Sequence, residues 1–192
     1  MKNTLIVGLG GAGINIAKYV KGFIGCDALA INTDASALKQ KCFELNLLIG
    51  SEVCKGQPAG IPQRGSQAAE KSTIELEKAL SHHQILVMVA GLGGGTGTGA
   101  LPVIIKLALS LGKQPLVIVS LPFGFESERR ETALAALKKL EQQKVEILIY
   151  DNQTLLEDPA NSNKALQEVF EELNHKIAEG IQKHLEKNSI KY

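Results

Sequence analysis

The run Ile85-Leu86-Val87-Met88-Val89-Ala90 passes directly into Gly91-Leu92-Gly93-Gly94-Gly95-Thr96-Gly97-Thr98-Gly99, and this junction decides the fold. Six apolar residues read as a buried strand, and residues 100–111 read as a helix. Five of the seven residues 93–99 are glycine, so the backbone between the two elements can curl tightly and turn its N–H groups toward an anion. The hydroxyls of Thr96 and Thr98 offer two more donors, and the positive end of the following helix points the same way. A flexible linker would be Gly/Ser-rich and would not join a strand to a helix. The stretch therefore predicts a phosphate-binding loop.

The rest of the chain fits one α/β domain. Its 192 residues can bury a sizeable core. With 21 basic and 20 acidic residues the net charge is +1, which predicts neither nucleic acid nor an anionic membrane as a partner. Cys26, Cys42 and Cys54 have no metal-type spacing and read as reduced thiols of a cytoplasmic protein. No apolar run approaches membrane-spanning length, and no secretory leader is recognisable after Met1. His82, His83, His175 and His184 lack metal spacing and are expected on the surface.

Residues 4–7, 28–32, 45–49, 85–90, 115–121 and 145–150 are short apolar runs punctuated by Gly, Asn or Asp, the pattern of buried parallel strands. Amphipathic stretches at 12–20, 65–80, 98–111 and 129–139 alternate with them as helices. This βα alternation predicts a Rossmann-like, doubly wound, mainly parallel sheet with helices on both faces. Ligands of such sheets bind at the carboxyl ends of the strands, where the glycine loops fall. Gly8-Leu9-Gly10-Gly11-Ala12-Gly13 is the first of them and satisfies a dinucleotide-type pattern. With Asp34 as a ribose-binding carboxylate, it supports an alternative reading as an NAD(P)-dependent oxidoreductase. The second loop at 91–99, which a dinucleotide fold does not need, and the lack of a His/Tyr–Lys catalytic arrangement weigh against that alternative.

Taken together the loops resemble the tubulin/FtsZ family of GTP-binding proteins, from residue 4 to about residue 185, and FtsZ more than tubulin. The glycine-threonine loop is matched by Gly93, Gly94, Gly95, Thr96, Gly97, Thr98 and Gly99. The first phosphate loop is matched by Gly10, Gly11, Ala12, Gly13, Ile14 and Asn15, and an Asn-Thr-Asp loop by Asn32-Thr33-Asp34-Ala35. Pro122-Phe123-Gly124-Phe125-Glu126 with Arg130 is similar to the ribose-binding segment, in which the Glu and Arg contact the nucleotide. The resemblance makes Asn152 the guanine-reading asparagine, and it places Phe170 against the base and Asn174 at the base's edge. It further implies Ala59 and Gly60 as nucleotide neighbours, GTP or GDP as the ligand, Mg²⁺ as its companion ion, and a filament-forming or cell-division role. Without the family match Phe170 reads as core and Glu126 as a solvated carboxylate. Arg64, Arg129 and Arg130, the three arginines, all fall in or beside these loops, where the planar guanidinium suits phosphate and ribose recognition; a solvated helix start is the other reading of Arg129 and Arg130.

Two departures from the family stand out. The loop after the third strand carries Pro58, Ile61 and Pro62 where the family has a longer glycine-rich run with an asparagine, so fewer N–H donors face a γ-phosphate. The family's Pro-Asn-Asp becomes Asp151-Asn152-Gln153. The C-terminal stretch at about 164–187 reads as a long helix, with Leu166, Val169, Phe170, Leu173, Ile177, Ile181 and Leu185 on one stripe. Its other face carries Glu168, Glu171, Glu172, Lys176, Glu179, Lys183, Glu186 and Lys187, spaced for pairs such as Glu172–Lys176 and Glu179–Lys183. So charged a face is expected in water, which favours a one-domain protein, residues 1–192, without the family's activating domain and its catalytic acids. The expectation is then nucleotide binding with weak or no hydrolysis alone, in a chain that self-associates or regulates a full-length homologue.

Overall fold

Alternate residues of the strands face opposite layers, and this period of two builds the molecule. The computed structural model describes residues 3–39 and 43–188. The strands are β1 (Thr4–Leu9), β2 (Asp27–Asn32), β3 (Leu45–Leu48), β4 (Ile85–Gly91), β5 (Leu116–Leu121) and β6 (Glu146–Asp151). All pair in parallel, in the order β3-β2-β1-β4-β5-β6. Leu5, Val7, Leu9, Leu86, Met88, Ala90, Val117 and Val119 face one buried layer, while Ile6, Val87, Val89 and Ile118 face the other. Each Leu, Ile, Val or Met of this set taken fully out of water contributes about 1.5–3 kcal/mol, so the sheet is the spine of both cores.

Helices cover both faces. α1 (Gly10–Ile24) and α9 (Leu166–Asn188) pack on one side. On the other lie α3 (Ser51–Cys54), α4 (Pro62–Lys71), α5 (Thr73–Ser81), α6 (Gly95–Ser110) and α7 (Ser127–Leu140). The short α2 (Ala35–Lys39), α8 (Gln153–Glu157) and a 3-10 turn at Pro159–Asn161 complete the described elements. This is the doubly wound parallel sheet that the alternating pattern predicts.

The differences from expectation are local. The helix expected over 65–80 is two helices, broken at Ser72 (φ −110°, ψ 24°), whose buried Oγ accepts a hydrogen bond of 2.9 Å from the Gly50 N–H. A serine side chain that satisfies a loop amide competes with helix continuity. α1 and α6 start at Gly10 and Gly95, earlier than expected, because both glycine loops already adopt the helical turn. In α9, Val169, Leu173, Ile177, Ile181 and Leu185 are buried as expected and Phe170 partly so, but Leu166 at the helix start is 50% exposed. Glu179 lies 3.8 Å from Lys183 as the spacing predicts, whereas Glu172 pairs with Lys164 of the preceding loop. His83 and His184 are half-buried rather than at the surface, each 3.0 Å from a carboxylate, of Asp27 and Glu146 respectively. Cys26 and Cys54 are buried free thiols, and burial pushes the Cys26 thiol up; Cys42 lies outside the described residues. Among the described residues no helix is long and apolar enough to cross a membrane.

α9 is seated on the edge strand β6 at Gly180. A Cβ there would overlap Tyr150 Oη, whereas Tyr150 Cζ lies 3.7 Å away. Gly180→Ala is accordingly expected to lower stability by up to about 2 kcal/mol, overpacking being partly offset by about 1 kcal/mol of helix propensity. Adding Tyr150→Phe, which deletes only the clashing atom, should return most of that loss. Urea denaturation of the wild type and the single and double variants measures both effects.

Candidate functional site

Strand order positions the site. β1 and β4 are neighbours, with α1 leaving β1 toward one face and α6 leaving β4 toward the other. Their glycine loops therefore meet at the topological switch point, above the carboxyl ends of the strands. Gly10, with φ +67°, turns the chain from β1 into α1, and a Cβ on it would stand 3.0 Å from the Gly97 nitrogen. A Cβ on Gly97 would in turn stand 2.8 Å from the Gly91 carbonyl oxygen and 3.2 Å from that of Leu9. The loop after α3 closes the third side, since a Cβ on Gly95 would lie 2.7 Å from the Gly60 nitrogen. By contrast, Gly11, Gly60 and Gly94 have no atom within 4 Å of the place a Cβ would take.

The threonine hydroxyls expected to face an anion are turned inward. Thr96 Oγ1 lies 2.8 Å from Thr33 Oγ1, joining the loop after β4 to the one after β2, and Thr98 Oγ1 accepts from the Gly93 N–H at 2.8 Å. Thr96 and Thr98 are 8% and 4% exposed. Their hydroxyls hold the loop's shape, which leaves the backbone N–H groups of the first turn of α6 as the donors for a ligand. Asp34 likewise works locally, its Oδ1 accepting from the Ser36 N–H at 2.8 Å and the Ala37 N–H at 3.4 Å at the start of α2. In the loop before α4, Ala59 is buried and Gly60 takes a left-handed turn (φ +74°). The N–H groups of Gln57 and Ile61 there are spent on the carbonyls of Cys54 and Ala59, both at 2.9 Å. Pro58 and Pro62 have no N–H, so fewer donors of this loop can face a phosphate, as the sequence suggests.

The segment after β5 is tied to the loop after β6. Glu126 accepts from the Phe123 N–H at 3.2 Å and pairs with Arg129. Arg130 does not reach into an open space: it grips Asp151 with two hydrogen bonds, of 2.8 and 2.7 Å, and also donates to the Pro122 carbonyl. The Arg130 guanidinium holds the Asp151 carboxyl below its ordinary range against the opposing effect of partial burial, and Asp151 in turn raises the Arg130 pKa. Between these contacts stands Asn152, whose backbone N–H donates to the Leu121 carbonyl at 3.1 Å and whose Oδ1 is buried without a hydrogen-bond partner. Arg64 is on the outer side of α4, bonded to the Val53 carbonyl at 3.0 Å.

The remaining expected residues come together from distant parts of the chain. Asn15 on α1 and Asn174 on α9 line one cavity of about 540 Å³, together with Lys18, Tyr19, Gly22 and Phe23. Phe170, one turn before Asn174, meets Phe123 edge-on at 5.5 Å, and Phe123 stacks on Phe125 at 5.2 Å. Sequence reasoning missed Lys18, and it placed Asp151 and Gln153 beside Asn152 without assigning either a contact. Asp151 is 21 residues from Arg130 and carries no local signal. Only the parallel register that sets Asp151 against Leu121 brings the two together.

A doubly wound parallel sheet whose glycine loops cross at the switch point defines the class, a Rossmann-like α/β domain. The chain belongs to the Tubulin/FtsZ family: the model of that family's GTPase domain matches residues 3–159. It is 37% identical over 182 residues to the cell division protein FtsZ of Methanothermobacter thermautotrophicus, covering 92% of this chain and 48% of that protein. It superposes on an empty FtsZ dimer structure from M. jannaschii with a TM-score of 0.83 at 32% identity, covering 93% of this chain and 53% of the other. For the GTPγS-bound protofilament structure of CetZ2 from Haloferax volcanii the TM-score is 0.80 at 26% identity, with coverage of 98% and 59%. The chain thus spans about half the length of the relatives it matches. The oxidoreductase alternative finds no support, since the matched family is a GTPase domain. α9, with Phe170 and Asn174, lies beyond the stretch matched by the family model.

The Asp151–Arg130 pair sets a pH dependence whose sign follows from the lowered carboxyl pKa. A folded-state pKa below the unfolded value of about 3.9 gives a contribution that is complete above that pH and is lost as pH falls through the depressed value. The stability difference between wild type and Asp151→Asn is expected to stay constant near neutrality and to shrink below about pH 4. Denaturant titrations at a series of pH values measure it.

Proposed function

We propose that this chain binds guanine nucleotide at the switch point of its sheet. The observation that carries the reading is the crossing of glycine loops there, where a Cβ on Gly10 would stand 3.0 Å from the Gly97 nitrogen and one on Gly95 would stand 2.7 Å from the Gly60 nitrogen. The phosphates would lie on the N–H groups that open α1 and α6, contributed by Gly10, Gly11, Ala12 and Gly13 and by Gly94 through Thr98. The ribose would face the segment of Pro122, Glu126 and Arg130. The base would enter the cavity between Asn15 and Asn174, with Phe170 and Asn152 beside it in the roles that the family resemblance implies. Among the described residues no group of three or more His, Cys, Asp or Glu could hold a metal, so Mg²⁺ would be held chiefly by phosphate oxygens and water.

Hydrolysis by these residues alone is expected to be weak. Phosphoryl transfer depends on positioning the attacking water, and the carboxylates at the loops are committed elsewhere, Asp34 to the start of α2 and Glu126 to Phe123 and Arg129. A second protein surface would then supply the missing group. Ile61 at 54% and Phe125 at 71% exposure flank the loops and suit coverage by such a surface, from a second copy or a full-length FtsZ-like homologue. The chain would work in, or regulate, a filament-forming system of that kind.

Calorimetric titration of nucleotide-stripped protein with GDP, GTP, ATP and NAD in Mg²⁺ buffer tests the binding. Guanine nucleotides are expected to bind at least about tenfold more tightly than ATP or NAD, the worth of one well-made hydrogen bond to the base. Equal binding of all four, or of none, would overturn the assignment. For the assembly role, addition of the protein to a full-length FtsZ-like homologue is expected to change pelleted polymer mass or filament length; unchanged values would reject that role.

A further inference from the structure

The face of the sheet away from α1 and α9 carries a second cavity, of about 550 Å³, between α4, α6 and α7. Uneven packing of the three helices creates it. α4 and α6 lie backbone to backbone, since a Cβ on Gly99 would overlap the Pro62 carbonyl oxygen and one on Gly65 that of Gly95. α7 buries Ala133 and Leu140, and its Thr132, Ala135 and Ala136 side chains are too short to fill the space they line.

The lining sorts into an apolar wall and one charge. Ile61, 54% exposed, and Pro62 face the cavity from the start of α4, and Pro102 faces it from α6. The two prolines present ring carbons where other residues would carry an N–H. Thr132, Ala135, Ala136 and Lys139 follow one another at helical spacing, so the α7 stripe ends in an ammonium group. Lys139 makes no ion pair among the described residues, and no described Asp or Glu lines the cavity. Glu70, one turn along α4 from the lining residue Ser66, accepts that residue's hydroxyl at 3.1 Å. An unpaired cation beside hydrocarbon walls suits an anion that carries hydrocarbon of its own.

Size selects the kind of occupant. The volume falls within the range of about 300–1,000 Å³ typical of small-molecule sites. It equals a cube about 8 Å on a side, narrower than the about 10–12 Å of an α-helix with its side chains. We propose that the cavity between α4, α6 and α7 is a binding site for a small amphipathic acid, whose carboxylate meets Lys139 and whose apolar body lies against Ile61, Pro62, Pro102 and Ala136. The site lies on the opposite face of the sheet from the cavity between Asn15 and Asn174, and the proposal does not rest on the nucleotide-site reading.

The test is amide correlation NMR spectroscopy of the protein titrated with decanoate up to about 10 mM, with circular dichroism to show which variants are folded. The expected result is saturable shifts centred on residues 61–66, 98–103 and 132–139, with a Kd below about 1 mM. Lys139→Met keeps the apolar stem and removes the charge, and is expected to weaken binding about three- to fivefold, the worth of an exposed ion pair. Lys138→Met, the neighbouring charge outside the cavity, should change nothing measurable. Ala136→Leu fills the cavity and should weaken binding by at least about tenfold; it decides alone if Lys139→Met does not fold. Shifts that fail to appear, or that centre on exposed side chains elsewhere such as Ile74 or Phe125, would overturn the proposal. Equal weakening by the two lysine variants, or undiminished binding by Ala136→Leu, would do the same.

Discussion

The close approach of two backbones at the centre of the sheet governs this molecule. Gly10 and Gly97 come from loops that begin on adjacent strands and feed helices on opposite faces; a Cβ on Gly10 would crowd the Gly97 nitrogen, and one on Gly97 would crowd the carbonyl oxygens of Gly91 and Leu9. Two helices can start side by side at one edge of a parallel sheet only if their connecting loops are this thin. The result is a set of first-turn N–H groups from α1 and α6 converging on one place, with no helix bond to satisfy them.

The rest of the site is arranged around that convergence by polar contacts within the protein. Thr33 and Thr96 join the loops after β2 and β4 through a buried hydroxyl pair, and Thr98 fixes the curl of its own loop. Arg130 and Asp151 bind the segment after β5 to the turn after β6. Such contacts matter because a parallel sheet fixes strand ends but leaves the loops free to wander over the carboxyl edge. They convert loops into a rigid rim. The longer-range half of the site depends on α9, which reaches it by lying across α1 and seating Gly180 over Tyr150, and so places Asn174 opposite Asn15.

Much of this was legible in the residues. The six strands are where the apolar runs lie: the four central ones are buried on both faces and so must be apolar throughout, whereas the edge strands β3 and β6, expected to be buried, are partly exposed, with Leu45 at 48% and Ile149 at 44%. Periodicity sets the helix starts late, at residues 12 and 98, because glycine has poor helix propensity and a glycine loop looks like a break; in both loops the helical turn is imposed by packing against neighbouring backbone. Ser72 splits what periodicity reads as one helix because its hydroxyl answers the amide of Gly50, 22 residues away. The threonines illustrate the same limit: their number and spacing pointed to an anion, but hydroxyls are short enough to be consumed by the nearest buried partner, here Thr33 for Thr96 and the Gly93 amide for Thr98.

By itself the sequence determined the layer architecture, the parallel sheet and the place of the glycine loops at its carboxyl edge, since those follow from local periodicity and from residues with no side chain. Its ordered motifs also carried the family. Tertiary structure alone decided what each polar side chain does. Whether Arg130 meets a ligand or Asp151, whether Thr96 faces outward or toward Thr33, and whether Asn152 has a partner depend on neighbours from other strands and helices. Hydrogen bonds act over about 3 Å, a distance that no spacing along the chain encodes.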